Sequence, residues 1–302
     1  MMKHFTSRIL MISPNKFRSN ELTLSDNSFQ SKQVENISIS GNAISEFEKL
    51  KEAILKKGIS VHALSDDSEF DTPDAVFPNN WISFHNPNKA ILYPMYALNR
   101  RFERKSSALK KLSDQGIEIE IIKDYSHFEN DDKFLEGTGS IVLDRKNKIA
   151  YCSLSKRSNH DLLKIFCLEM NYKPVVFNSI YQSKPIYHTN VMMSICNNFS
   201  VICLESIKDE KQRKDVITNL KDSNLDIIDI NTDQMCSFFG NCIQLIDSKS
   251  NPLLVMSSRA YNSINSSQLK IIEKYTDIIH SDIKTIEDNG GGSARCMIAE
   301  IF

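Results

Sequence analysis

The chain has almost no net charge: 37 Lys and Arg stand against 38 Asp and Glu, a formal −1 over 302 residues. That balance gives neither a nucleic acid nor an acidic membrane an electrostatic reason to bind. No run approaches the ~18 consecutive apolar residues of a membrane helix. The opening Met1-Met2-Lys3-His4-Phe5 has no long apolar core before a cleavage site, so a cytoplasmic protein is expected. Glycine (9) and proline (8) are scarce, and no Pro/Gly/Ser-rich linker divides the chain. One domain over residues 1–302 is the expectation. The seven cysteines form no CxxC pair and the seven histidines no HExxH, so no metal and no cofactor is called for. Most cysteines sit in apolar segments such as Phe166-Cys167-Leu168 and are expected to be reduced, buried and inert. Basic residues cluster only locally, at Asn99–Lys105 and Lys208–Lys214, and both clusters contain acids.

What is present is a soluble globular composition, 41% hydrophobic and 25% charged. Short apolar strands are predicted at 8–12, 90–93, 117–122, 139–143, 149–152, 174–177, 191–195, 201–204, 226–230, 242–246, 253–256 and 297–301. Helical spacing falls between some of them. In 44–57 it groups Phe47, Leu50 and Ile54, and in 160–170 it groups Leu163, Phe166 and Cys167; 211–220 and 267–275 are further helices. Ser158 or Asn159 is placed to cap the second. Strand, strand, helix, strand recurs about five times, which indicates an α/β or α+β class. The polar stretch Ser13–Gln33 reads as a long loop, of the kind that serves as a lid or is simply mobile.

Five segments look like sites. Gly290-Gly291-Gly292-Ser293-Ala294-Arg295-Cys296 mounts a cysteine behind three glycines and ahead of an apolar run. Glycines let a ligand or another backbone approach closely, so nucleophilic chemistry is the first hypothesis. A glycine turn before a strand with an inert thiol is the plain alternative. Thr72 to Ser83 holds the one tryptophan, downstream of Asp74 and beside Asn79 and Asn80, amides able to bind a planar polar ligand. Leu135-Glu136-Gly137-Thr138-Gly139 offers a carboxylate in an open turn, His188-Thr189-Asn190 an imidazole at the head of an apolar strand, and Arg157 follows another strand. Each has a structural reading of its own. Together they supply thiol, imidazole, carboxylate and amides, the inventory of cysteine catalysis.

In this order the motifs resemble the guanidino-group-modifying superfamily of arginine deiminases, amidinotransferases, dimethylarginine hydrolases and succinylarginine dihydrolases. Phe77-Pro78-Asn79-Asn80-Trp81 is most similar to the citrulline-utilisation hydrolase branch. The resemblance covers Asp74 to the C-terminus. It implies the pentein fold, an α/β propeller of five pseudo-symmetric ββαβ modules with the site in its centre. It implies Cys296 as nucleophile on a guanidino or ureido carbon, His188 as proton carrier, and Glu136 orienting His188 and holding substrate nitrogens. Arg157, Arg101 or Arg295 would meet the substrate's α-carboxylate, and Ser13–Gln33 would close as a lid.

Two departures bear on substrate. Many members of the superfamily carry Asp where Asn80 stands, and arginine deiminases carry Asp where Asn190 stands. An amide suits a neutral ureido group, whereas a buried guanidinium needs counter-charge. A citrulline-like substrate is therefore expected, or arginine taken through two successive hydrolyses, with Asp74 and Glu136 as remaining counter-charges. The small molecule is an amino acid; nothing in the sequence opposes a homo-oligomer. An amidinotransferase and a non-catalytic amino-acid-binding pentein are the rival readings.

Overall fold

The computed structural model describes residues 4–31, 38–85, 87–104 and 106–302. Lys32 and Gln33 of the expected lid, and Lys105 of the first basic cluster, lie outside them. Among the described residues there are five three-stranded sheets and one two-stranded ribbon, Ile180–Tyr181 with Lys184–Pro185.

Each three-stranded sheet is built alike: an antiparallel pair, then a helix, then a strand parallel to the second. Ile82–His85 pairs antiparallel with Lys89–Leu92, which pairs parallel with Glu120–Asp124. The same pattern joins Val142–Asp144, Ile149–Ser153 and Lys173–Phe177. It recurs in Met193–Ile195, Phe199–Ile202 and Asp226–Asp229, and in Ile243–Ile246, Pro252–Ser257 and Asp277–Ser281. The remaining sheet joins the two ends of the chain. Ala299–Ile301 pairs antiparallel with Arg8–Ser13, which pairs parallel with Ser60–Ser65. Parallel strands need a crossover, and helices supply it.

The crossover helices are amphipathic as their spacing predicts. Ser38–Lys56 buries Ile39, Ala43, Phe47, Leu50 and Ile54; His160–Met170 buries Leu162, Leu163, Phe166 and Cys167. Asn159 caps the latter, its side chain accepting from the Asp161 and Leu162 amides, an arrangement worth about 1 kcal/mol. Ser158 does not cap it.

Two expected strands begin as helices instead. Gly137–Ser140 and Thr189–Met192 are single helical turns, so the strands after them start only at Val142 and Met193. Thr189 Oγ1 donates to Ser140 O at 2.6 Å and locks the two turns together. The strands at Ser60–Ser65, Ile82–His85 and Asp277–Ser281 escape the sequence pattern. The first buries only Leu64, the last only Ile279 and Ser281, and Ile82–His85 is just four residues long.

Candidate active site

The residues that lead into the first strand of each sheet converge. These are Asn79 and Asn80 ahead of Ile82, Glu136 ahead of Val142, His188 and Asn190 ahead of Met193, Asn241 ahead of Ile243, and Cys296 ahead of Ala299. A small cavity lies among them, lined by Asp74, Asn80, Arg100, Arg157, His188 and Cys296 among others.

The cysteine turn is shaped by its glycines. Gly291 ends the helix Lys284–Gly290 at φ 63°, a left-handed conformation suited to glycine. A Cβ on Gly290 would sit 2.7 Å from the Phe77 ring. The turn closes with the Cys296 amide on Ser293 O at 2.9 Å, and Ser293 Oγ donates to the buried Glu287 at 2.6 Å. Cys296 is itself buried, and its sulfur is held by amides. Asn241 Nδ2 lies 3.2 Å from it and Asn190 Nδ2 3.4 Å. Burial pushes the thiol above its ordinary pKa, with Asn241, the Ser293 backbone and Asn190 pulling against it.

Glu136 and His188 form a second unit. His188 Nε2 lies 2.8 Å from Glu136 Oε2, and Glu136 Oε1 accepts from the Tyr96 amide at 2.9 Å. Burial would raise the Glu136 carboxyl, but Arg157, the His188 hydrogen bond and Arg100 outweigh it and hold it at about 2. Burial also lowers His188, against the pull of Glu136. The carboxylate is therefore ionised and the imidazole neutral near pH 7, with Nε2–H donated to Glu136 and the lone pair on Nδ1. Gly139 makes room for this edge: a Cβ there would lie 2.7 Å from His188 Nδ1 and 2.4 Å from Asn80 Nδ2.

Charge is dense on the other wall. Arg100 donates to Asn80 Oδ1 at 2.8 Å and grips Glu103 with two bonds of 2.9 Å. Asp74 Oδ2 accepts from Asn20 at 2.7 Å, while its buried Oδ1 has no hydrogen-bond partner among the described residues. Burial raises the Asp74 carboxyl, opposed by Arg100 and Asn20. Arg157 is buried under Tyr187 and binds Asp26 through Nε (2.7 Å) and Nη2 (2.8 Å).

Asp26 belongs to the segment read as a lid. In the structure it lies down over the cavity: Phe17, Asn20, Thr23 and Asn27 are buried, and Asn27 donates to Gly290 O at 3.3 Å.

Arg101 is corrected. It lies outside the cavity, a quarter exposed, donating to Met95 O at 3.0 Å beside Glu129. Its neighbour Arg100 lines the cavity instead. Leu98–Glu103 is a 3₁₀ helix, in which neighbours point about 120° apart, so one arginine of the pair turns in and the other out. Arg295, also considered for the carboxylate, pairs with Glu300 at 2.9 Å and does not line this cavity. The sequence reading missed Arg100, Asn241, Asn20, Thr23, Asp26 and Asn27. Asn241 carried a usable signal: like Glu136 and His188, it stands just upstream of a module's first strand.

Among the described residues no group of His, Cys, Asp and Glu could hold a metal ion, and no helix is long and apolar enough to cross a membrane.

The family described as N,N dimethylarginine dimethylhydrolase, eukaryotic, matches residues 13–302. No curated protein matches the chain. Among solved structures, the chain is similar to the N-terminal domain of ArgZ, covalently bonded to a reaction intermediate. The TM-score is 0.76 at 15% identity, covering 98% of this chain and 97% of that one. Apo ArgZ, an arginine dihydrolase from the ornithine-ammonia cycle in cyanobacteria, gives 0.75 at 15% identity; 97% of this chain is covered and 40% of that one. A dimethylarginine dimethylaminohydrolase carrying an S-methyl-L-thiocitrulline adduct gives 0.64 at 15% identity, covering 98% and 100%.

Proposed function

This chain belongs to the N,N dimethylarginine dimethylhydrolase family, within the guanidino-group-modifying superfamily, and from that premise we propose that Cys296 attacks the guanidino carbon of an arginine-like amino acid. The enzyme is a hydrolase of linear C–N bonds. The finer assignment of roles and substrate is our own reading.

The observation that carries it is the buried, unpartnered Oδ1 of Asp74 in the cavity wall, close to the ionised Glu136. An unpaired acceptor costs free energy unless a donor meets it. A guanidinium or ammonium brings both donors and the compensating charge.

The thiol proton passes to His188 Nδ1 as sulfur bonds to the carbon. The resulting imidazolium protonates the leaving nitrogen, the C–N bond breaks, and an S-linked amidino adduct remains. Neutral His188 then takes a proton from water, whose oxygen bonds to the adduct carbon as the C–S bond breaks, and the imidazolium returns that proton to the departing sulfur. The product is a ureido group and an amine. Asn80 and Asn190, neutral where deiminases carry carboxylates, favour keeping that ureido group for a second hydrolysis. A single catalytic unit over residues 1–302, its five modules closed into a propeller, is part of the same proposal.

Arginine, N,N-dimethylarginine and citrulline, offered separately, test it. Amine release from at least one guanidino substrate is expected, absent in Cys296→Ala, with Asp74→Asn shifting preference toward citrulline. Turnover of citrulline alone would remove the cation from the reading. Turnover only with an added acceptor amine would make the protein a transferase, and none under either condition would favour a binding protein.

A further inference from the structure

We propose that Asn241 is a catalytic residue that holds the nucleophilic sulfur as a thiolate, a role that rests on reading Cys296 as the nucleophile. Its amide is oriented without ambiguity. Oδ1 faces two backbone donors, the Ser293 amide at 3.2 Å and the Cys296 amide at 3.4 Å. It must therefore be the oxygen, and the nitrogen is left to face the sulfur at 3.2 Å and Asn190 O at 2.8 Å. Both amide hydrogens and both lone pairs are engaged, and the residue is fully buried. Asn190 approaches the sulfur with both side-chain atoms, Nδ2 at 3.4 Å and Oδ1 at 3.7 Å. It is the less committed donor.

The backbone around Asn241 is built for this placement. Phe238 adopts φ 61°, a left-handed conformation that is strained for an aromatic residue, and its carbonyl accepts the Asn241 amide at 2.9 Å. Gly240 lies so close to the histidine-bearing turn that a Cβ would stand 2.6 Å from Val191 O. Strain and close approach together bring the fourth module's leading residue to the sulfur, as the third module brings His188 and the second Glu136.

A hydrogen bond to the charged form favours that form. Asn241 opposes the effect of burial on the thiol more than any other group around it. The amide gives the sulfur a fixed neutral donor, which stabilises the charge that develops there as the proton passes to His188.

The test is the pH dependence of Cys296 alkylation by iodoacetamide, read on the Cys296 peptide by mass spectrometry in wild type and Asn241→Asp. Aspartate keeps the acceptor for both backbone amides and removes the donor to sulfur, and the neutral Asn241→Ser, run beside it, must show an upward shift without an added charge. Half-maximal alkylation should move up by one pH unit or more, with about tenfold slower alkylation at neutral pH. Turnover should fall in kcat more than in KM and recover as pH rises, which a structural role would not produce. Asn241→Ser alone carries the test if the aspartate variant loses its near-ultraviolet circular dichroism. An unchanged alkylation profile in a folded variant overturns the proposal, and so does failure of both variants to fold, which would make Asn241 structural. Alkylation needs no substrate, so this result stands apart from whether the substrate reading succeeds.

Discussion

At the scale of single residues, the site works by packing charges where water cannot screen them. Glu136 is the central case: fully buried, it touches His188 and lies 3.6 Å from Arg157 and 4.0 Å from Arg100. Its folded pKa of about 2 lies below the ordinary 4.5. A depressed carboxyl contributes stability that is complete above its unfolded pKa and lost as pH falls through the folded one. Thermal melting should therefore drop steeply between pH 4.5 and about 2, and Glu136→Gln should flatten that part of the profile while lowering stability at neutral pH. An equally steep acid limb in the variant would assign the loss to other groups. Gly139 gives a second residue-scale prediction. Alanine there meets both His188 and Asn80, and a misplacement of about 1 Å costs on the order of 10²-fold in rate. Gly139→Ala should keep its far-ultraviolet circular dichroism and lose about that much in kcat/KM; near-wild-type turnover would mean the imidazole has slack.

At the scale of elements, the segment from Pro14 to Ser31 lies across the cavity. It has little regular structure, yet buries Phe17, Asn20, Thr23 and Asn27 and latches through Asp26 to Arg157. In this closed arrangement the two-pronged face of Arg157, expected to meet a substrate carboxylate, is taken by the segment's own carboxylate. Asp26→Ala frees that arginine and loosens the segment. Limited proteolysis within it should speed up severalfold with the melting temperature little changed. Equal cleavage rates would show that Phe17 and the asparagines hold it without the latch. The sequence offered a long polar loop able to close as a lid but not its contacts, because these are made with residues up to 270 positions away, as between Ser19 and Asn289. The crossover helices were legible because their burial follows local spacing: Phe47, Leu50 and Ile54 share one buried face. The turns at Gly137–Ser140 and Thr189–Met192 were not, being only four residues each and fixed by tertiary bonds such as Thr189 to Ser140. Which of Arg100 and Arg101 faces the cavity was hidden for a similar reason: in a 3₁₀ helix a one-residue shift turns the side chain by about 120°.

At the scale of the whole molecule, one repeated plan does the positioning. Every three-stranded sheet begins just after a residue of the site, and the final strand, three residues beyond Cys296, pairs with the first strand of the chain. The thiol is thus anchored by the sheet that joins the two ends of the protein. The repeated strand-strand-helix-strand order could be read from the sequence, and so could the motifs at its strand heads; the convergence of those heads could not. The central claim is that this convergence makes Cys296 a covalent catalyst. Intact-protein mass spectrometry on rapidly quenched mixtures with an arginine-like substrate tests it most directly. A transient mass gain matching an amidino adduct is expected, mapped to the Cys296 peptide and absent in Cys296→Ala. Turnover that survives in Cys296→Ala, with no adduct in the wild type, would contradict it.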